Sequence, residues 1–510
     1  MSWQIAKRQL LLNVLTFRFA VATAVCVLLV VLLVPLLIGD HSASLEDYAE
    51  AVAHNSDELR KVKVYKNIKP TVHRPPTALS VFSRGVESQL DASAKVELGS
   101  VPTVEFASAD INPFLSIFPG LDVSQIFVAV LSMLALLIAY DVISGERERG
   151  TLKLMLSGPL PRSGILLGKL ASGLLTLLIP VTIAFVITGL MLELSSQVRL
   201  TGEDWLRVGL MYVVSMVFCF SMHNIALFFS CVTRRSGVSL MLALFAWVCF
   251  VGIIPNASTY AATRLRALDS KDKTESQVRA VWDEFQREVR AHKYERSGGA
   301  EADAQGAFGL WYAALCDENY TSYWQEKHSF EEPLRIMYAE RAAQVRRGYF
   351  RSLIGQKRLA DNLSRLSLVP PYQRIMSALA RTDVESVEFF FEGAAAQRRE
   401  VADYIRARTE RFSATSYFTP CDDKTRKTFE ELLAKMNSDG SQGTYPILEL
   451  RERVIAEPPL DLDDLPALTA RRESVGQVSR RVLPDLTLLL LACVLFSVMS
   501  LAAFARYDAR

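Results

Sequence analysis

Residues 126–152 read IFVAVLSMLALLIAYDVISGERERGTL. An apolar run from Ile126 to Tyr140 gives way within a few residues to alternating charges, Glu146, Arg147, Glu148 and Arg149, framed by Gly145 and Gly150. A second apolar run, ILLGKLASGLLTLLIPVTIAFVITGLML, occupies 165–192. About 20 apolar residues in a helix cross the ~30 Å of hydrocarbon in a bilayer. The charged stretch is therefore a turn at a membrane surface between two spans.

The same length criterion, applied outward from this turn, finds six spans: Arg18 to Ile38, Val123 to Ile143, Gly164 to Leu192, Trp205 to Cys231, Gly237 to Ile254 and Leu483 to Ala505. The first is too long, and too poorly followed by small residues, for a cleaved signal, and is read as a retained span. Basic residues near span ends mark the cytoplasmic side. Lys7, Arg8, Arg18, Arg147, Arg149, Lys153, Arg162, Lys169, Arg234, Arg235, Arg506 and Arg510 all fall on one side. Both termini are then cytoplasmic, and 39–122 and 255–482 are extracytoplasmic.

Composition agrees with a mixed membrane and water-exposed chain. Of 510 residues 50% are hydrophobic, and the mean hydropathy of +0.18 lies above a soluble protein but below a bare bundle of spans. Lys and Arg number 57 against 55 Asp and Glu, a net charge of +2 that by itself argues neither for nor against nucleic acid; no nucleic-acid partner is expected. The expected fold is an all-α polytopic membrane protein: a cytoplasmic amphipathic helix at 1–17, a first transmembrane helix at 18–38, an extracytoplasmic segment at 39–122, transmembrane helices two to five over 123–254, a mainly helical extracytoplasmic domain at 255–482, and a sixth transmembrane helix with a short tail at 483–510.

The large outer segment has helical spacing in Val278, Val281, Trp282, Phe285 and Val289 and again in VESVEFFFEGAAAQRREVADYIRARTERF, so it should build its own helical core. KNIKPTVHRPPTALSVFSRGVESQL contains prolines, reads as extended, and is expected to run over the surface of that domain. Cys26, Cys219, Cys231, Cys249 and Cys493 lie in or beside spans as small packing residues. Cys316 and Cys421 lie outside, either as a disulfide in an oxidising compartment or as two thiols.

Catalytic and metal motifs are absent from the sequence. There is no HExxH and no GxSxG, and the six histidines are scattered singly. His223, within the fourth span beside Asn224, reads as a polar residue bonded to a neighbouring helix. Gly164 to Lys169 resembles a phosphate-binding loop but has one residue too few between its glycines and no hydroxyl after the lysine, so no metal or nucleotide site is expected. Lys169 reads instead as a lysine reaching back to lipid head groups. Pro180, midway along the third span, is expected to kink it, either lining a path or serving packing.

Within the turn, a helix over 146–156 would place Leu152, Met155 and Leu156 on one face and Glu146, Arg149 and Lys153 on others. Ser144 can cap it, the glutamates suit its first turn, and Gly158, Pro159 and Pro161 stop it. The positive-inside rule accounts for the arginines but not for the interleaved glutamates.

The order span, ISGERERGTLKLMLSGPLPRSGILLGKLASG, span resembles the connection between the second and third spans of ABC-2-type transporter permeases, with their Glu-x-Glu-x-Gly-Thr-Leu pattern and Ser-x-Pro turn. SWQIAKRQLLLNVLTFRF is similar to that family's connecting helix. RPPTALSVFSRGVE and RIMSALARTDVESVEFFFEGAAAQRREV resemble a subgroup with a large insertion before the last span. The resemblance implies a transmembrane permease subunit in the cell inner membrane, without a cofactor of its own. It would be driven by a cytoplasmic ABC ATPase that uses ATP and Mg, and paired with a second permease copy, identical or sister. It also implies a coupling helix at 146–156, with Glu146, Arg147, Glu148, Gly150, Thr151, Leu152 and Met155 engaging the ATPase. Arg234 and Arg235 would be a second contact or merely topological charges. Most family members are exporters. A receptor or scaffold that uses its outer domain to bind a partner is the rival from another class, and a co-purified ATPase separates the two.

Overall fold

The computed structural model describes residues 2–86, 93–103, 122–157, 161–195, 198–268, 270–294, 318–413 and 458–506, together with scattered positions between 416 and 434. Gly158, Pro159, Cys316, Cys421 and Arg510 lie outside the described residues. The described chain is a helical membrane protein with six helices long and apolar enough to cross a bilayer.

Helix α1 (Ser2–Val14) packs along the third span, and the Asn13 side-chain amide donates to Thr176 Oγ1 at 3.2 Å. Thr16 then caps α2 (Phe17–Arg60) by accepting from the Phe19 amide. At about 1.5 Å per residue, the 44 residues of α2 reach about 66 Å. The sequence reading closed this span at Ile38. The helix instead continues through Ala43, Glu46, Ala49, Glu50 and Ala51, all good helix formers, and its upper half projects beyond the apolar run.

The second span is α3 (Val123–Ile126), a π turn at Phe127–Leu131, and α4 (Ser132–Ala139). Asp122 starts it by accepting from the Gln125 amide at 2.9 Å and Ser124 Oγ at 2.7 Å. Two short helices, α5 (Ser144–Glu148) and α6 (Thr151–Leu156), form the turn. The later spans are α7 (Arg162–Leu194), α8 (Gly202–Val232), and α9 (Ser236–Val248) continued through a π turn into α10 (Ile254–Leu265). Pro180 is buried inside α7, which runs on unbroken through it. α8 lies at the centre, starting from a capping box between Thr201 and Asp204.

Beyond α10 the chain forms α11 (Lys271–Ala291), α12 (Glu318–Ser364), α13 (Val369–Ala380) and α14 (Val384–Arg408), and returns through α15 (Val475–Ala505), the sixth span. α13 belongs to the core of the spans. Tyr372 is fully buried, its ring stacks on Phe218 at 4.4 Å, and its hydroxyl lies 3.0 Å from Ser215 Oγ. Ion pairs fasten α13 at its middle and at its carboxyl end. Arg374 meets Asp485 of α15 at 2.8 and 3.0 Å, while Arg381 meets Glu203 at 2.8 Å and Asp204 at 3.4 Å at the head of α8. The buried Arg207 of α8 adds donors to the carbonyls of Leu379 at 3.1 Å and Glu473 at 2.9 Å.

A second core joins the two segments that flank the middle spans in sequence. Ile68, Val72, Val96 and Leu98 pack with Val387, Phe390, Val401 and Ile405. Arg398, 2% exposed, donates to the carbonyls of Glu97 and Leu98 at 3.0 and 2.7 Å. The insertion thus shares its core with 62–86 and 93–98 as well as with the spans. The stretch expected to run over its surface does not do so: Leu79, Val81 and Phe82 are at most 1% exposed, and Phe82 stacks on Phe185 of the third span at 5.4 Å. Proline keeps this backbone extended, but burial is set by the apolar residues that follow the prolines. One short antiparallel pair, β1 (Thr71–His73) with β2 (Ser93–Lys95), closes the segment.

Candidate functional site

The charged turn is two helices rather than one. Gly150 sits between them at φ +76°, a left-handed conformation that ends α5 and restarts the chain as α6, with nothing within 4 Å of where a Cβ would project. The break rephases the side chains, so one face of the elbow grips the spans and the other faces outward. Ser144 does not cap α5. It lies in its first turn, donates to the Tyr140 carbonyl at 2.7 Å, and sits 3.2 Å from Ser230 Oγ.

The gripping face uses three of the four charges. Glu146 meets Lys169 of α7 at 2.7 Å, with the lysine side chain fully buried and the carboxylate 15% exposed. Lys169 also donates to the Val142 carbonyl at 2.6 Å, so it points into the elbow and not toward lipid head groups. Arg147 donates to the carbonyls of Thr233 at 2.7 Å and Cys231 at 3.2 Å, filling acceptors at the carboxyl end of α8. Glu148 accepts from the amide and hydroxyl of Ser236 at 3.0 and 2.6 Å, placing negative charge on the amino end of α9. Leu152 is fully buried among Ile143, Ile165, Leu166, Leu227 and Phe504. The elbow is thereby tied to the third, fourth, fifth and sixth spans. The foot of the first span joins it: Arg18 lies 5.1 Å over the Tyr140 ring and 3.4 Å from Asp141.

Arg149, Thr151, Lys153 and Leu154 are exposed, Leu154 to 76%. Thr151 Oγ1 donates to the Glu146 carbonyl at 3.2 Å, and Met155 is half-buried against the core. Arg234 and Arg235 are exposed on the adjacent α8–α9 turn. From the sequence, Glu146, Arg147, Glu148, Gly150, Thr151, Leu152 and Met155 are expected to engage a partner ATPase. Within the chain the side chains of Glu146, Arg147, Glu148 and Leu152 make the contacts just described, and Leu154 is an exposed apolar residue on the other face. A single helical phase carried through Gly150 hides this, although a glycine one turn after a short charged helix is itself a stop signal.

His223 is fully enclosed in α8, and its Nε2 occupies the space that a Cβ on Gly173 of α7 would need, at 2.1 Å. The interhelical hydrogen bonds come from its neighbour: Asn224 donates to Ser497 Oγ at 2.9 Å and to the Cys493 carbonyl at 3.3 Å on α15.

A family model described as ABC-2 family transporter protein matches residues 4–386, which takes in α1, five spans, the elbow and α13. The chain belongs to the ABC-2 transporter family. Among curated proteins it is similar to the probable ABC transporter permease protein NosY of Stutzerimonas stutzeri, 31% identical over 164 residues. That match covers 32% of this chain and 54% of the relative, so the chain spans about half the length of the curated protein it matches. In an ABC-2 transporter protein the elbow between the second and third spans is the feature to which the sequence resemblance first pointed.

Proposed function

We propose that the chain is the permease subunit of an ATP-driven exporter. It would lie in the cell inner membrane with both termini, and the elbow, in the cytoplasm, and with 39–122 and 255–482 outside. A separate ABC ATPase, using its own ATP and Mg, docks on Arg149, Lys153 and Leu154, with Arg234 and Arg235 beside them. A second permease copy, identical or sister, completes the assembly. The observation that carries this reading is the two-sidedness of the elbow: an outward apolar and basic tip on a body that holds the ends of several spans at once. A push on Leu154 is delivered through Glu146 to α7, through Arg147 to α8 and through Glu148 to α9, without any one bond carrying it. Such a rigid lever is what switching between two arrangements of packed helices requires.

Leu154→Asp tests this. The side chain is exposed, so the fold should be unchanged, whereas the charge enters the ATPase groove. The expected outcome is loss of the co-purified ATPase and of ATP turnover that depends on the permease. Retention of both, with residue 154 unreactive to a cytoplasmic thiol reagent when replaced by cysteine, would remove the elbow as the docking site and favour the receptor reading.

A further inference from the structure

At the end of the bundle away from the elbow, the upper half of α2, residues 73–84 and Ser93 enclose a cleft of 500 Å³. Leu37, Asp40, His41 and Ser44 line one wall from a single face of α2, and Arg74, Val81 and Arg84 line the other. His41 is only 6% exposed, and its ring borders the cleft without a hydrogen bond to any described residue.

The charges are layered. Asp40 pairs with Arg84 across the mouth, but its side chain is 65% exposed against 30% for the arginine. Asp47 is likewise exposed at the lip, whereas Arg74 is half-buried and donates to the Arg381 carbonyl. Acid therefore lies outermost and guanidinium lies deeper. Below the lip, Leu28, Leu32 and Leu36 are 57%, 59% and 68% exposed and repeat every four residues, a row that continues upward into Asp40 and Ser44. An acyl chain lying on that row brings its head group to Asp40, His41 and Arg84.

We propose that this cleft binds the anionic, phosphate-bearing head group of a membrane lipid, with Arg84 exchanging its Asp40 carboxylate for the lipid oxyanion and His41 donating the second hydrogen bond. The site is independent of the elbow, and its test needs no ATPase. The full chain in detergent, stripped of lipid, is titrated with dioctanoyl phosphatidylglycerol, with dioctanoyl phosphatidylcholine and with inorganic phosphate, and heat is measured. Phosphatidylglycerol should bind at least about tenfold more tightly than the zwitterionic lipid, and Arg84→Gln and His41→Phe should each cost about tenfold, the loss of one charge-assisted hydrogen bond. Asp40→Asn breaks the same ion pair as Arg84→Gln, so a structural role for the pair predicts equal losses. The proposal expects Asp40→Asn to bind as well as the parent or better. Equal weakening by the two variants, or equal binding of both lipids, overturns it. Phosphate competing at the lipid's own concentration would make a free anion the occupant and sink the lipid assignment. Failure to compete supports it.

Discussion

Lys169 shows how one side chain changes meaning with its surroundings. In the sequence it is a lone cation five residues into an apolar run, with lipid head groups within its reach. In the fold its ammonium is fully buried against Glu146 and the Val142 carbonyl. A buried pair is a weak source of net stability, but removing one partner leaves the other uncompensated, at about 3–5 kcal/mol. Lys169→Met should therefore lower the thermal unfolding temperature of the detergent-solubilised chain. The exchange Glu146→Lys with Lys169→Glu should recover a large part of that loss. If the exchange is no better than the single change, the pair is not what joins the elbow to α7. His223 makes the same point sterically, since the space it fills exists only because Gly173 on another helix has no side chain.

Among elements, the elbow and α13 matter most. Gly150 is the pivot of the elbow, and a Cβ there meets nothing, so Gly150→Ala isolates the backbone cost of the left-handed conformation, about 1–2 kcal/mol. The expected result is a chain that still folds and binds its ATPase but stimulates ATP turnover less, because the angle between the gripping and docking helices has changed. Unaltered stimulation would show that the angle is not used. α13 is a short helix of the insertion that lies against α8 and α15, held by Asp485 at its middle and by Glu203 with Asp204 at its carboxyl end. Asp485→Asn leaves Arg374 and Arg365 facing a neutral amide. Amide exchange along Val369–Ala380 should then accelerate by at least about tenfold, while exchange in the centre of α8 stays slow. Parallel acceleration in both would mean that the bundle as a whole had loosened.

For the whole molecule, burial is uneven among the spans. The second and fourth are mostly enclosed, whereas only 11% of the apolar window of the fifth is buried within the chain. Val238, Met241, Phe245 and Val248 leave one stripe of it open, at 48%, 71%, 66% and 46% exposure. Lipid alone can cover such a face, and so can the second permease copy proposed above. Phe245→Cys, oxidised in native membranes, should yield a disulfide-linked dimer if the copies meet there. A monomer under the same conditions, with a control cysteine at Leu491 equally unlinked, would assign the stripe to lipid.

The six spans, the charged turn and the helical character of the insertion were all legible in the sequence, because length and hydropathy suffice to decide what enters a bilayer. The existence of the elbow was legible for the same reason. Local chemistry could not say which of its charges point inward, since that depends on groups supplied by Val142, Cys231, Thr233 and Ser236, three of them some 85 residues away in the chain. Nor could it show that PTALSVF turns into the bundle, that α13 wedges against the spans, or that 62–86, 93–98 and the insertion share one core. Those are pairings between distant segments, each weakly patterned alone. Hydrophobic burial is roughly proportional to area and indifferent to sequence order, so it selects the partners only when all the surfaces are present together.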